Sequence, residues 1–175
     1  MRHFILPIVL SILFFVSCSS GQKKHSFLLI DEDEKKITAL LNQMSIEEKV
    51  GQTCQITLDA ILQKDKSNKL IEPHQIDLDK LDVAINKYKV GSVLNVSNHT
   101  FTLKNWNKIL KTIQDAAAKS STAIPIIYGV DAIHGATYIQ NSTLFPQEIG
   151  LAAGWDTSMA REMGRITAYE TRASG

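Results

Sequence analysis

Residues 124–130, IPIIYGV, form an apolar run that ends abruptly in Asp131, Ala132, Ile133, His134 and Gly135. A run apolar at successive positions reads as a strand buried on both faces, the habit of parallel sheets covered by helices. A second short apolar run, residues 90–96, precedes it. Between the two, Leu103, Trp106, Leu110, Ile113 and Ala117 recur at helical spacing, with Thr102 or Thr100 placed to cap the helix. Strand, helix and strand make a βαβ unit, whose crossover is right-handed and whose strands pair in parallel. In parallel α/β folds the carboxyl ends of strands carry ligands. Asp131 stands at such an end and is the first residue to suspect of function.

The flanking segments extend the same alternation. Ile37, Leu40, Leu41 and Met44 predict a helix over residues 33–44, with acids near its front as the helix dipole prefers. Ser45 lies three residues before Glu48, the capping-box spacing, and opens a second helix over about 46–57. Residues 64–73 are mostly charged and closed by Pro73, a surface loop. Leu78, Leu81, Ile85 and Tyr88 give one apolar face to a helix over 77–88, and Gly91 marks the corner into the strand at 90–96. Residues 95–100 are a polar strand-end loop. Beyond the Asp131 region a polar loop gives way to the apolar stretch 145–153. Asp156 then opens a last helix carrying Met159, Met163 and Ile166, with Gly175 placed as its C-cap.

Composition narrows the function classes. The 175 residues are 44% hydrophobic and 21% charged, an ordinary globular balance. Nineteen basic against eighteen acidic residues leave a net charge of +1, and no basic block exceeds a pair, so the electrostatic footprint of a nucleic-acid surface is missing. Residues 1–17 read as a secretory signal: Arg2 and His3 are basic, and the apolar core from Phe4 to Val16 is too short to span a bilayer. Phe15, Val16, Ser17 and Cys18 resemble a bacterial lipobox, which predicts lipidation of Cys18, with residues 18–30 including a small polar tether. The address is then an exported protein, periplasmic or membrane-anchored in a bacterial envelope. Cys54 is the remaining cysteine, so neither an internal disulfide nor a metal knuckle is expected, and it reads as a small buried residue.

Asp131 admits several chemistries. Tyr128 and Tyr138 flank it, His134 lies three residues on, Glu148 follows, and Gly129, Gly135 and Gly150 permit close backbone approach. A carboxylate at a strand end accepts strong charge-assisted hydrogen bonds from sugar hydroxyls. It also suits a metal shared with His134, or the orientation of His134 as a general base. In the plainest alternative, Asp131 caps a turn and His134 is a satisfied interior group. The metal reading lacks a third ligand, His99 being the nearest strand-end histidine, so no metal and no cofactor are assigned. No nucleophile elbow and no phosphate loop are present in the sequence.

Four blocks in register resemble glycoside hydrolase family 3, the exo-acting β-glucosidases and β-glucan glucohydrolases. They are MSIEEKVGQ at 44–52, YGVDAIHG at 128–135, TLFPQEIGLAA at 143–153 and AYETRASG at 168–175, and the match runs from about residue 37 to the last. The resemblance implies an α/β fold in which residues 31–175 are the first part of a (β/α)8 TIM-type barrel. It implies retaining hydrolysis of terminal non-reducing β-D-glucosyl residues, with a β-glucoside or β-glucan oligosaccharide as partner. Asp131 takes the place of the aspartate that binds hydroxyls of the terminal sugar. His134 and Gly135 support the loop, and Glu148 and Glu170 receive no chemistry. Family nucleophile and acid/base positions come later in the barrel or beyond it, so no catalytic residue is assigned, and a complete barrel needs roughly 250 residues. The chain is therefore expected to be a front fragment, inactive alone; the competing expectation is a non-catalytic carbohydrate-binding lipoprotein.

Overall fold

Three parallel strands organise the described part of the chain: β1 (Gln55–Thr57), β2 (Ser92–Leu94) and β3 (Ile127–Gly129), hydrogen-bonded in the order β1-β2-β3. The computed structural model describes residues 31–96 and 98–175, so the signal segment, Cys18 and the tether lie outside the described residues. The chain divides into two compact units, Met1–Asn42 and Gln43–Gly175. Helix α1 (Asp31–Gln43) covers what is described of the first. Its first turn is four consecutive acids, Lys36 pairs with Glu32 at 2.9 Å, and none of its residues is buried. Among the described residues, no helix is long and apolar enough to cross a membrane.

In the second unit, α2 (Ile46–Gln52) starts as its sequence requires. Ser45 Oγ accepts the Glu48 amide at 3.1 Å, and the Ser45 amide donates to Glu48 Oε2 at 3.0 Å. The helix ends at Gln52, however, and residues 55–57 are not its continuation but strand β1. Tertiary contacts override local preference here. The Gly91 amide donates to the Gly51 carbonyl at 3.1 Å, and the Ser92 amide to the Cys54 carbonyl at 3.2 Å, which starts the β1–β2 ladder. Gly91 is needed at that corner, because a Cβ on it would strike the Gln52 backbone. Cys54 is exposed rather than buried, its thiol 3.4 Å from the Val50 carbonyl at the helix-to-strand turn.

After β1 a single 3-10 turn, Leu58–Ala60, leads into a loop that folds back on itself. The Gln63 amide donates to the Gln75 carbonyl at 2.9 Å, and Asp65 Oδ1 accepts the amides of Ser67 and Lys69. Asp77 then caps α3 (Leu78–Asp82), which runs straight into a π-helical turn, Val83–Lys87. The extra residue in that turn rotates the helix face beyond it. Leu81, Ala84 and Ile85 are buried, while Leu78 and Tyr88, expected on the same face, are 66% and 60% exposed. β2 follows, then α4 (Leu103–Ala117), capped by Thr102 Oγ1 on the Asn105 amide, with Trp106, Ile109, Ile113 and Ala117 buried.

The ladders are in register, Ile56 beside Val93 beside Tyr128. On the covered face the core gathers Leu58, Ile61, Leu81, Ile85, Val93, Phe101, Trp106, Ile109 and Ile113, with Ile56 and Tyr128 packed against it. The opposite face, carrying Gln55, Thr57 and Ile127, is open, and Ile127 is 72% exposed. The strand at 124–130 is thus shorter than its apolar run and covered on one face, not both. α5 (Glu148–Ala153) and α6 (Thr157–Ser174), the latter capped by Asp156, close the described chain.

Candidate functional site

Asn95, one residue past β2, is the pivot of the site. It holds φ +56°, a left-handed conformation that asparagine tolerates better than most residues. From there its amide donates to the Gly129 carbonyl at 2.8 Å, carrying the β2–β3 pairing one step further. Its carbonyl accepts the Tyr128 hydroxyl at 2.7 Å. Its side chain grips Asp131 twice: Oδ1 accepts the Asp131 amide at 2.8 Å, and Nδ2 donates to Asp131 Oδ2, also at 2.8 Å. Residue 95 is therefore engaged through both its backbone groups and both its side-chain groups. The Asp131 carboxylate, on an exposed residue, is fixed rather than free to swing.

A polar cleft of about 360 Å³ opens here, lined by Asn95, Asn98, His99, Asp131, Thr137 and Tyr138 among others. That size lies at the low end of the range for ligand clefts, roughly 300–1,000 Å³. Of the lining residues, Tyr138 belongs to an aromatic cluster. Trp106 is buried, with Tyr128 edge-on at 5.1 Å and Tyr138 at 4.9 Å between ring centroids. Burial, with the nearby Asp59 charge and Tyr138, pushes the Tyr128 phenol well above its ordinary value, so it stays a neutral donor to Asn95. A larger hollow of about 790 Å³ lies on other elements, with apolar walls that include Val50, Ile56, Val83 and Tyr88. The smaller cleft is the better candidate, because it has convergent polar groups at strand ends.

The loop after Asp131 is braced from its other side. His134 Nδ1 lies 3.1 Å from the Phe145 carbonyl, and the Phe145 amide donates to the His134 carbonyl at 3.0 Å. Gly135 sits at φ +88°, pressed so close to the Thr143 carbonyl that a Cβ would collide with it. Glu170 on α6 clamps that segment in turn, accepting the Thr143 amide at 3.0 Å and its hydroxyl at 2.7 Å. Tyr138 and Ser174 hydroxyls meet at 3.0 Å in the interior. His134 is thus engaged with the 143–145 segment, and Glu170 holds the same segment. Gly150 has open space around it, and Glu148 stands exposed in the first turn of α5.

The structure does not assemble Asp131 and His134 into a metal set. Among the described residues, the ligand atoms that converge belong to Glu72, His74 and His99, and neither Asp131 nor His134 is among them. Sequence reasoning missed Asn95, which reads as an ordinary strand-end turn residue. Its signal is positional: it follows β2 almost as Asp131 follows β3, and adjacent parallel strands bring such positions together.

Comparison with known proteins adds the family. The family described as glycosyl hydrolase family 3 N terminal domain matches residues 45–175. The chain belongs to glycosyl hydrolase family 3. Over 147 residues it is 34% identical to the lysosomal beta glucosidase of Dictyostelium discoideum, covering 78% of this chain and 17% of that protein. Over 140 residues it is 28% identical to the periplasmic beta-glucosidase of Salmonella typhimurium, covering 79% of this chain and 15% of that one. A beta-xylosidase of Formosa agariphila is 35% identical over 72 residues, 39% of this chain and 10% of its own length. The chain thus spans less than a fifth of the length of these relatives. The family 3 N-terminal domain is a TIM-barrel-type fold, and three parallel strands in sequence order with helical crossovers are consistent with part of one.

Proposed function

We propose that the chain forms the front of a (β/α)8 barrel in an exported, exo-acting β-glucosidase that removes terminal non-reducing β-D-glucosyl residues with retention of configuration. The observation that carries this reading is the Asn95 grip on Asp131 at the rim of a polar cleft. A fixed, accessible carboxylate suits the acceptance of sugar hydroxyls, and bonds to a charged acceptor contribute about 1.5–3 kcal/mol each. Two relatives are named β-glucosidases, which supports a glucoside substrate, and one of them is named periplasmic, in keeping with a secretory signal at residues 1–17. Retention requires two carboxyl groups about 5–5.5 Å apart. On this reading residues outside 1–175 supply them, Asp131 binds without reacting, and Cys18 carries the lipid anchor.

Hydrolysis of an aryl β-glucoside by the intact protein tests this. Asp131→Asn removes the charge but keeps the shape, and kcat/KM is expected to fall roughly 10- to 150-fold, the range that loss of one such bond allows. Unchanged kcat/KM in Asp131→Asn sinks the assignment. Cellobiose binding with no hydrolysis at all favours a non-catalytic carbohydrate-binding lipoprotein instead.

A further inference from the structure

Beside the polar cleft lies a cluster that the sugar-binding reading does not use. Glu72 and His74 sit on the loop after β1, and His99 on the loop after β2. One ligand atom from each falls within 4.8 Å of the other two. The imidazoles of His74 and His99 lie with centroids 4.2 Å apart and planes tilted by 35°, and both rest edge-on against buried Phe101. His99 Nδ1 stands 3.7 Å from Glu72 Oε1.

We propose that Glu72, His74 and His99 form a three-ligand site for a zinc-class divalent cation, which pins the two strand-end loops together at the edge of the Asp131 cleft. His74 is the most telling member. It is 3% exposed, and its Nδ1 lies 3.0 Å from the Ile71 carbonyl. A carbonyl only accepts, so Nδ1 is the donor there and Nε2 is the ring nitrogen left to face a metal. Donation of the second ring N–H to a backbone carbonyl is the way metal-binding histidines are oriented. The peptide following His74 is held as well, its carbonyl accepting Asn105 Nδ2 at 3.2 Å.

The donor set selects the metal. Two imidazoles and one carboxylate suit zinc and its neighbours, whereas calcium asks for six to eight oxygens. Ligand atoms around tetrahedral zinc, at bonds of about 2.0–2.2 Å, stand roughly 3.4 Å apart. The present spacing therefore closes with a shift of roughly an ångström. The Glu72 side chain, 70% exposed, is free of the packing that would resist it. Three protein ligands leave a fourth position for water or a substrate hydroxyl. His99 also lines the cleft that holds Asp131, so a cation here borders the bound sugar.

The test uses the intact protein and Zn(II), after dialysis against metal-free buffer. One equivalent of zinc is expected to remain by elemental analysis. His74→Ala, His99→Gln and Glu72→Gln are each expected to weaken zinc at least tenfold, the loss that even an outer-shell partner causes. Asp131→Asn and His134→Gln are expected to leave zinc affinity unchanged, which separates this site from the sugar site. Cobalt(II) added to the unsubstituted protein is expected to give the intense visible bands of a four-coordinate centre, a readout that needs no variant to fold. Three results each overturn the proposal: no stoichiometric zinc, zinc affinity unmoved by His99→Gln, or a weak six-coordinate cobalt spectrum.

Discussion

Asn95 and Asp131 are separated by 36 residues of sequence, and their partnership exists only because β2 and β3 pair in register. Two substitutions at residue 95 separate its two jobs. Asn95→Gly keeps the left-handed backbone but deletes both side-chain bonds to Asp131, so kcat/KM on a β-glucoside is expected to fall roughly tenfold with little loss of stability. Asn95→Ala loses the same bonds and keeps a Cβ at φ +56° without the polar side chain that lets asparagine tolerate it, so it is expected to be less stable than Asn95→Gly by ~1–2 kcal/mol. Kinetics and denaturant unfolding on both variants check this, and an Asn95→Gly enzyme as active as the parent would show that the grip is dispensable. Asp131 itself was legible in the sequence, because an apolar run leads straight into it. Asn95 was not, since an asparagine after a strand is equally the signature of a turn. Glu72 and His74 were hidden for a similar reason: they sit in a polar loop, and only folding brings His99 to them.

At the scale of elements, α4 is the clearest success of periodicity and also marks its limit. Its repeat of apolar positions correctly gave the span, and of the two candidate caps, Thr102 and Thr100, the structure uses Thr102. Yet Leu103, counted on the apolar face, is 48% exposed, whereas Ile109, between the expected positions, is buried. Ile113→Ala is therefore expected to destabilise by about 2–5 kcal/mol, and Leu103→Ala by no more than about 0.5 kcal/mol. Paired urea unfolding curves measure the difference, and equal losses would mean that α4 packs by another face. β1 was invisible for a different reason. Three residues carry too little pattern to declare a strand, and only the carbonyl of Cys54, bonded to the Ser92 amide, decides that residues 55–57 are extended. The π-helical turn after α3 defeated the helical spacing at Tyr88, because one inserted residue rotates everything beyond it, whereas Leu78 precedes the turn and is exposed without that cause.

For the molecule as a whole, the parallel pairing of β2 and β3 across α4 followed from the alternation in the sequence, whereas β1 and the exposure of the sheet did not. An apolar strand was expected to be covered on both faces, but Ile127 is 72% exposed. Leu144, Ile149 and Trp155 are 74%, 81% and 93% exposed. Among the described residues β1 and β3 are the sheet's two edges, each with one side unpaired. Unpaired strand edges and exposed apolar side chains together favour pairing with other copies. The purified 175-residue chain is accordingly expected to self-associate as its concentration rises, visible as a growing mass in light scattering coupled to size exclusion. Ile127→Lys, on the open face of β3, places a charge where copies would meet and is expected to lower that mass without unfolding the chain, because position 127 is outside the core. A chain that stays monomeric across the concentration range, with and without Ile127→Lys, would mean that its open face and edges are shielded in solution by residues of the same molecule.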